Sequence, residues 1–416
     1  MIELLSWMLA GVVAAIALYA IRHFAFTWIR LFVAPRDPYR DIETAHWPSV
    51  TIQIPAHNEE DVIGHVLEAL LAVSYPRDRL VLMPINDRSS DRTAEIIEDY
   101  AARFPGQVRP YHRQGGKAGK AATLRDAARL VESDILLVFD ADYLPSRGLI
   151  KRLVAPFFDP EIGAVMGRVV PINASRNLLT RLLEVERSGG YQVDQQARMT
   201  LRLVPQYGGT TGGVRMAALR AVGGWSDDVL AEDTELTFRL LLSGWKTAYQ
   251  NRAECYEEVP ETWQMRARQI GRWAKGHNQS LARHLPALLR SRRVTGPEKI
   301  DGLMLLFVYM MPLLLSFAWV LVLILFFAGA VSPVHWSLLA FAVFAYGSLG
   351  NFAAFFELGA GCFLDGRREN ARLLPLNLLA FVVSIVAVTR ATFSQLFYNA
   401  LLRREITWHK TARYRQ

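Results

Sequence analysis

Ile135-Leu136-Leu137-Val138-Phe139-Asp140-Ala141-Asp142 is a short apolar run that ends in two carboxylates one residue apart. A brief, wholly apolar run reads as a strand buried on both faces, as in a parallel sheet covered by helices. Ligands of open α/β sheets gather at the carboxyl ends of such strands. Two acids there offer hard oxygen ligands for Mg²⁺ or Mn²⁺, and such an ion is suited to carry a diphosphate. The same residues also suit a plain turn, because Asp is common after strands and Pro145 follows. Taken alone, the run leaves both readings open.

The neighbouring sequence repeats the pattern. Residues 49–55 are β-rich, and Asn58-Glu59-Glu60-Asp61 opens a helical stretch carrying Val62, Val66, Leu67, Leu70 and Leu71. Acids in a first turn complement the helix dipole. A strand at 80–85 runs into Asn86-Asp87-Arg88-Ser89-Ser90-Asp91, a turn rich in capping residues. A helix is expected over 91–103, a strand over 108–112 and a helix over 118–131. After 135–139 come a helix at 146–158 and a strand at 162–170. Alternating strands and helices give an α/β domain with a parallel sheet. Residues 55–59, Asp87 and the Asp140/Asp142 pair all follow strands, so they are expected along one edge. Neither G-x-G-x-x-G nor G-x-x-x-x-G-K-[ST] occurs, which argues against a dinucleotide or P-loop site and leaves a sugar nucleotide open.

The chain has 416 residues, a mean hydropathy of +0.14 and 21% charged residues, oilier than most soluble enzymes of its size. Apolar segments lie at 4–22, 302–330, 336–362 and 374–400, around a water-soluble stretch at about 35–298. The first segment has Glu3 before it and Arg22, Arg30, Arg36 and Arg40 at or after its end. That charge order reads as an uncleaved anchor with its N-terminus outside and the large domain in the cytoplasm, rather than a cleaved signal peptide. The formal charge is +8, with Arg and Lys crowded at 266–299 and 403–415 beside apolar segments. This suits an anionic membrane leaflet better than nucleic acid, for which no recognition module is evident. Cys255 and Cys362 supply neither a disulfide framework nor a zinc spacing.

The expected divisions are an anchor at 1–34, a catalytic domain at 35–262, amphipathic interfacial helices at 263–300, transmembrane helices at 301–402 and a basic tail at 403–416. Residues 336–358 are long enough to cross once, while 302–330 contains Pro312 and reads as a kinked helix or an interfacial helix running into a span. The loop Arg367-Arg368 and the tail Arg403, Arg404, Lys410 and Arg413 both favour the cytoplasm, although one apolar segment, containing Arg390, separates them. Either 374–400 is re-entrant, or 302–330 crosses twice, or the tail lies outside.

Further stretches complete the picture: Gly116-Lys117-Ala118-Gly119-Lys120, Tyr207-Gly208-Gly209-Thr210-Thr211-Gly212-Gly213, Gly223-Gly224-Trp225, Ala231-Glu232-Asp233-Thr234-Glu235 and Gln269-Ile270-Gly271-Arg272-Trp273-Ala274-Lys275-Gly276. With Pro55–Glu60, 86–91 and Asp140-Ala141-Asp142, they resemble the family 2 glycosyltransferases, above all the membrane-integrated cellulose, hyaluronan, chitin-oligosaccharide and glucomannan synthases. The resemblance covers roughly 48–290 and the flanking membrane segments. It implies a GT-A fold with a mostly parallel sheet, flanked by transmembrane helices and binding a nucleotide-diphospho-sugar, with a UDP-sugar as the expected donor. By that likeness Pro55, Ala56, Asn58 and Glu59 line the nucleotide end, Asp87 meets the base and ribose with help from Lys120, and Asp140 faces ribose or diphosphate. Asp142 binds Mg²⁺ or Mn²⁺, and Asp233, beside Glu232, is the general base. Gln269, Arg272 and Trp273 cover the diphosphate and the acceptor sugar, and Gly212 lies in the stretch approaching the acceptor.

Plainer readings stand beside these. Asp233 also suits a helix cap. Arg272 and Trp273 also suit a basic helix face at the bilayer surface. His57 and His277 read as structural or site-edge residues, and Lys117 as a solvated charge. Three activities follow in order: a polymerising β-glycosyltransferase that exports its product, with room for accessory or export subunits; a single transfer to a glycolipid acceptor; and a catalytically silent receptor for nucleotide sugars. The departure from F-N-G-T-A-G at 207–213, and Gln-Ile-Gly-Arg-Trp where polymer synthases often carry a second Gln or Arg, leave processivity open.

Overall fold

The apolar run at Ile135 forms strand β4 (Ile135–Val138), and all of it is buried. In this computed structural model, which describes residues 1–40, 42, 44, 46–329 and 352–399, β4 lies parallel to β1 (Val50–Ala56), with Val50 opposite Ile135. On its other side β1 is parallel to β2 (Leu80–Asp87), and β2 to the short β3 (Tyr111–Arg113). Helices α1 (Ile2–Phe32), α2 (Ile63–Leu71), α3 (Thr93–Arg103) and α4 (Lys120–Ala128) precede or join these strands. The chain therefore steps outward from β1 to β3, then returns to β4 on the far side of β1. Such a reversal opens a crevice beyond the carboxyl ends of the two strands. Residues 55–59 end one of them, and Asp140 and Asp142 follow the other.

The simple alternation fails beyond this point. The strand expected at 162–170 as part of a parallel sheet is observed as β6 (Ile162–Pro171), after the two-residue β5 (Leu144–Pro145), but it does not pair with β4. Instead β7 (Gly212–Arg215) inserts between β4 and β6, antiparallel to both. A long β8 (Lys246–Glu257) pairs parallel with β6 and antiparallel with β5. The result is a mostly parallel eight-stranded sheet in the order β3-β2-β1-β4-β7-β6-β8-β5. The insertion depends on missing side chains. A Cβ on Gly212 would collide with the Val165 carbonyl, and one on Gly213 with the Leu136 carbonyl. Gly212, expected beside the acceptor, is thus enclosed by the sheet and does not line the cavity described below.

One apolar layer joins the sheet to α2 and α5 (Leu149–Val154), and another to α4, α8 (Met216–Ala221) and α9 (Glu232–Leu242). Between β6 and β7 the chain forms α6 (Leu178–Ser188), a π-helical turn at Gly189–Gln195 and α7 (Gln196–Thr200). After the sheet comes α10 (Trp263–Arg290), whose first turn is capped by the Thr262 hydroxyl accepting from the Met265 N–H at 3.3 Å.

Among the described residues, three helical runs are long and apolar enough to cross a membrane: Ile2–Phe32, Gly296–Phe327 and Arg368–Phe397. The second divides into α11 (Gly296–Phe307) and α12 (Met311–Phe327) at a 3₁₀ turn over Val308–Met310. Pro312 lacks an N–H and its ring crowds the carbonyl four residues back, so a break is placed there. Next come α13 (Phe352–Leu364) and α14 (Asn377–Ser394). Most of the expected span at 336–358 and the basic tail at 403–416 fall outside the described residues.

These helices are bonded to the α/β unit. On α1, Arg22 pairs with Asp194, His23 with Glu357 of α13, and Arg30 Nε donates to the Gln192 carbonyl at 2.7 Å. Beyond α13, Asp365 accepts from Arg168, from the Ser188 hydroxyl at 2.5 Å and from the Gln192 amide at 2.6 Å. Both flanks of α14 are also tied down. Asn370 donates to Glu184 of α6 at 2.8 Å, and Gln395 donates to the Lys275 carbonyl of α10 at 3.1 Å.

Candidate active site

A cavity of about 1010 Å³ occupies the crevice beyond β1 and β4 and extends to the long apolar helices. Its sheet side presents Glu59, Asp140 and Asp142, and the segment leading into α4 adds Lys117 and Lys120. Asp142 is buried at 2% exposure, whereas Asp140 is bonded to the Lys120 ammonium. Burial alone would lower the Lys120 pKa, but the charges of Asp140 and Glu232 outweigh it and hold the pKa above its usual value. Lys117 is not simply solvated, since its ammonium reaches the Asp227 carbonyl.

Opposite this edge, α9 begins with Glu232 and Asp233, both facing the cavity. An acidic first turn is favoured by the helix dipole. One Asp233 oxygen accepts from the Thr234 N–H at 2.6 Å, so part of its carboxylate caps the turn. Gly209, with φ +72, lets the 207–211 loop pass closely; a Cβ there would lie 3.3 Å from the other Asp233 oxygen. Burial and then the neighbouring Asp233 push the Glu232 pKa up to about 7, and burial also raises that of Asp233. Two adjacent acids shielded from water resist double ionisation, so their protons leave as those of a pair. With Asp233 as the base, the rate is expected to rise with pH through an acidic limb displaced above the ordinary carboxylate range, as Asp233 gives up its proton. Glu232→Gln removes a neighbouring negative charge, so Asp233 ionises more readily and the limb moves to lower pH. An initial-rate pH profile checks this, and an unmoved limb would show that the two groups do not interact.

The third wall is α10. Gln269, Arg272 and Trp273 are spaced i, i+3, i+4 and therefore share one face, and all three reach the cavity. The Arg187 and Arg266 guanidiniums lie 5.6 and 5.5 Å from the Trp273 ring, and Arg266 also donates to Gln269 at 2.9 Å. Contacts of this kind contribute roughly 0.5–2 kcal/mol each, enough to fix the indole. Arg187 is itself held by Glu257 at 2.6 Å, which accepts from the Tyr143 hydroxyl at 2.6 Å. His277 lies 3.1 Å from the Thr234 hydroxyl, and burial pushes its pKa down to about 4, so it is neutral. The closeness of α10 to the acids depends on Gly276, where a Cβ would sit 2.6 Å from the Ala231 nitrogen. Gly276→Ala should destabilise the fold by about 1–3 kcal/mol, read as a lowered thermal midpoint together with lost activity.

Pro55, Ala56, Asn58 and Asp87 stand at the expected sheet edge but not on the cavity wall. Asp87 is a clamp rather than an open carboxylate. One oxygen accepts from Arg113 at 2.8 Å and Arg88 at 2.9 Å, and the other from the Thr123 hydroxyl at 3.0 Å. Asn58, at φ +54, accepts from the Ser90 N–H at 2.7 Å and joins two loops. His57 is likewise structural, with Nδ1 2.7 Å from the Asp87 carbonyl. No local pattern announces the far end of the cavity, which is lined by Tyr19, Arg22 and His23 of α1 with Asp194, Arg198 and Glu357. Arg22 counts in the sequence only as a basic flank, and the partners that make it interior are far along the chain.

The donor set fits a divalent cation that arrives with a diphosphate. Among the described residues no group of three or more His, Cys, Asp or Glu is placed to cage an ion. Mg²⁺ and similar ions are commonly held by one or two carboxylates plus substrate phosphates. With Asp140 engaged by Lys120, Asp142 is the carboxylate suited to that contact.

A family model described as Glycosyltransferase like family 2 matches residues 48–276, the stretch that contains the sheet and most of the cavity wall. The chain belongs to this family. The glycosyltransferase is 31% identical over 382 residues to probable glycosyltransferase YdaM of Bacillus subtilis (strain 168), covering 89% of its own length and 88% of that protein. It is 32% identical over 275 residues to the beta-monoglucosyldiacylglycerol synthase of Synechocystis sp. (strain ATCC 27184 / PCC 6803 / Kazusa), covering 66% of its own length and 56% of that protein. Its fold is similar to that of mannosyltransferase PcManGT from Pyrobaculum calidifontis, solved in complex with GDP-Man and Mn²⁺. The TM-score is 0.61 at 20% identity, covering 96% of this chain and 99% of that one. The fold is therefore GT-A-like, and the enzyme is a glycosyltransferase.

Proposed function

We propose that the enzyme transfers a hexosyl group, with inversion, from a nucleoside-diphosphate sugar to a hydroxyl presented at a membrane. The observation that carries this reading is the convergence of Asp142, Asp233 and Trp273 on one cavity that continues among helices of membrane-spanning length. The C1–O bond to the diphosphate breaks as the acceptor oxygen bonds to C1 from the opposite face. The electron pair leaves with the diphosphate, and the acceptor proton passes to Asp233. General base catalysis of this kind contributes roughly 10²–10⁴-fold. Arg272 and Lys120 supply positive charge where the leaving group gains negative charge. A divalent cation held by Asp142, Mg²⁺ or Mn²⁺, would add further electrophilic stabilisation when bound. The Trp273 face suits the C–H surface of a pyranose.

The basic residues from Arg22 to Arg40 support placing the α/β unit on the cytoplasmic side. The test is incubation of membranes with radiolabelled UDP-glucose, UDP-N-acetylglucosamine or GDP-mannose, each with Mg²⁺ or Mn²⁺. Label is expected in an acceptor with one donor and only in the presence of cation. Long glycosidase-sensitive chains would identify polymer synthesis, and an organic-extractable single-sugar product a lipid acceptor. Absence of transfer from all three donors would count against the reading.

A further inference from the structure

The cavity has two chemically different ends. At the donor end Lys117, Lys120 and Arg272 face a site for a diphosphate. At the far end the charges are matched by other protein charges. Arg22 pairs with Asp194, Arg198 lies 3.4 Å from Asp194 and 3.2 Å from Asp301, and His23 meets Glu357. Arg198, Asp301 and Glu357 are nine-tenths or more buried. The Arg22 side chain is 9% exposed, and its buried Nε has no hydrogen-bond partner among the described residues; Asp301 is 3.9 Å away. Ionisable groups on an apolar helix are costly and mark substrate paths when they face an interior cavity. Beside this polar cluster the wall turns apolar, with Met304, Val308, Ala354, Leu358 and Phe381 contributed by the helices and turn that follow the sheet.

We infer that this far end is the acceptor site for a neutral lipid bearing a hydroxylated headgroup, a glycerol or a sugar, whose acyl chains run along the apolar wall. The inference rests on the glycosyl-transfer reading above and names its acceptor. A lipid phosphate would have to compete with carboxylates already paired to Arg22 and Arg198, so its charge finds no surplus of cations. Hydroxyls carry no such penalty and can both donate to Glu357 or Asp194 and accept from Arg22. Transfer then forms the bond between a headgroup oxygen and C1. The hydroxyl proton goes to Asp233, and the nucleoside diphosphate departs with the electron pair.

The experiment uses the full chain in phosphatidylcholine nanodiscs with the radiolabelled donors above. Separate arms add dioleoylglycerol, a monoglucosyl-dioleoylglycerol, a polyprenyl phosphate or no acceptor. Label on either neutral glycerolipid is the expected result. Label on the polyprenyl phosphate, or only in a water-soluble polymer, would overturn the inference while leaving glycosyl transfer intact. No transfer in any arm would overturn both. Glu357→Gln keeps the side-chain shape but removes a charged acceptor, and should raise the KM for the neutral lipid about 10-fold, with donor KM within about twofold. A purely structural role for Glu357 would lower the thermal midpoint without that split. Ala354→Phe, which narrows the apolar wall, provides a second reading. It should depress use of dioleoylglycerol more than dioctanoylglycerol, and equal effects on the two would argue against an acyl path.

Discussion

Asp233→Asn is expected to lower kcat by about 10³-fold while leaving nucleotide-sugar affinity within a few fold, since general base catalysis is worth roughly 10²–10⁴. The amide retains an oxygen able to accept the Thr234 N–H, which Asp233 now binds at 2.6 Å, so the first turn of α9 stays capped. What the amide cannot do is take a proton. The substitution therefore separates the two readings of this residue. A helix cap predicts a small change in both stability and rate, and a base predicts an intact fold with lost turnover. Calorimetric donor binding and single-turnover transfer on the same preparation distinguish them. Turnover within 10-fold of the parent would remove Asp233 from the base role.

Asp142→Asn should cost about 10²–10³-fold in kcat/KM, the range found when a group stabilising developing charge is removed. Asp142 is buried, lines the cavity and lies at the crevice made by the reversal of strand order. Asn is nearly isosteric, so packing is preserved and the lost quantity is charge. A neutral amide is a weaker ligand for a hard cation. The rate in the variant should therefore saturate at a higher Mn²⁺ concentration, and titrating Mn²⁺ at fixed donor reads this directly. A lowered thermal midpoint with unchanged Mn²⁺ dependence would instead give Asp142 a structural role.

The half of the sheet that builds the crevice was legible in the sequence. β2 and β4 are buried between helical layers, so their segments are apolar runs that end in polar residues, and β1 shares that burial with only Thr51 and Gln53 breaking its apolar run. β7 was not legible. Gly212-Gly213-Val214-Arg215 has little intrinsic strand preference, and it forms because neighbouring strands leave room for nothing larger than glycine. β8 is half-exposed and interrupted by polar residues, so no local pattern announces its twelve residues. Pairing between distant segments is decided by the finished sheet, not by the segment.

The same distinction holds in the site. Gln269, Arg272 and Trp273 were singled out by the family resemblance, and their i, i+3, i+4 spacing on a helix is what gives them a shared face in the structure. Asp140 and Asp142 stood out as paired acids after a buried strand, a pattern that also suits a turn, and Glu232 and Asp233 were singled out by the family resemblance. Asp87 looked equivalent, but whether its carboxylate is open depends on Arg113 and Thr123, which approach from other elements. Arg22 and His23 were hidden by hydropathy averaging, which counts residues and not the partners they meet.

Those two residues bear on any attempt to obtain a soluble fragment. Excision at residue 34 follows the fall in hydropathy, but it would strip Asp194 and Glu357 of Arg22 and His23, and the Gln192 carbonyl of Arg30. Asp194 would keep only Arg198, at 3.4 Å, and Glu357 would lose its His23 contact; breaking a buried pair by removing one partner costs about 3–5 kcal/mol. The leading helix is thus an integral beam of the catalytic body, and a truncated product would aggregate for want of counter-charges as much as for exposed apolar surface.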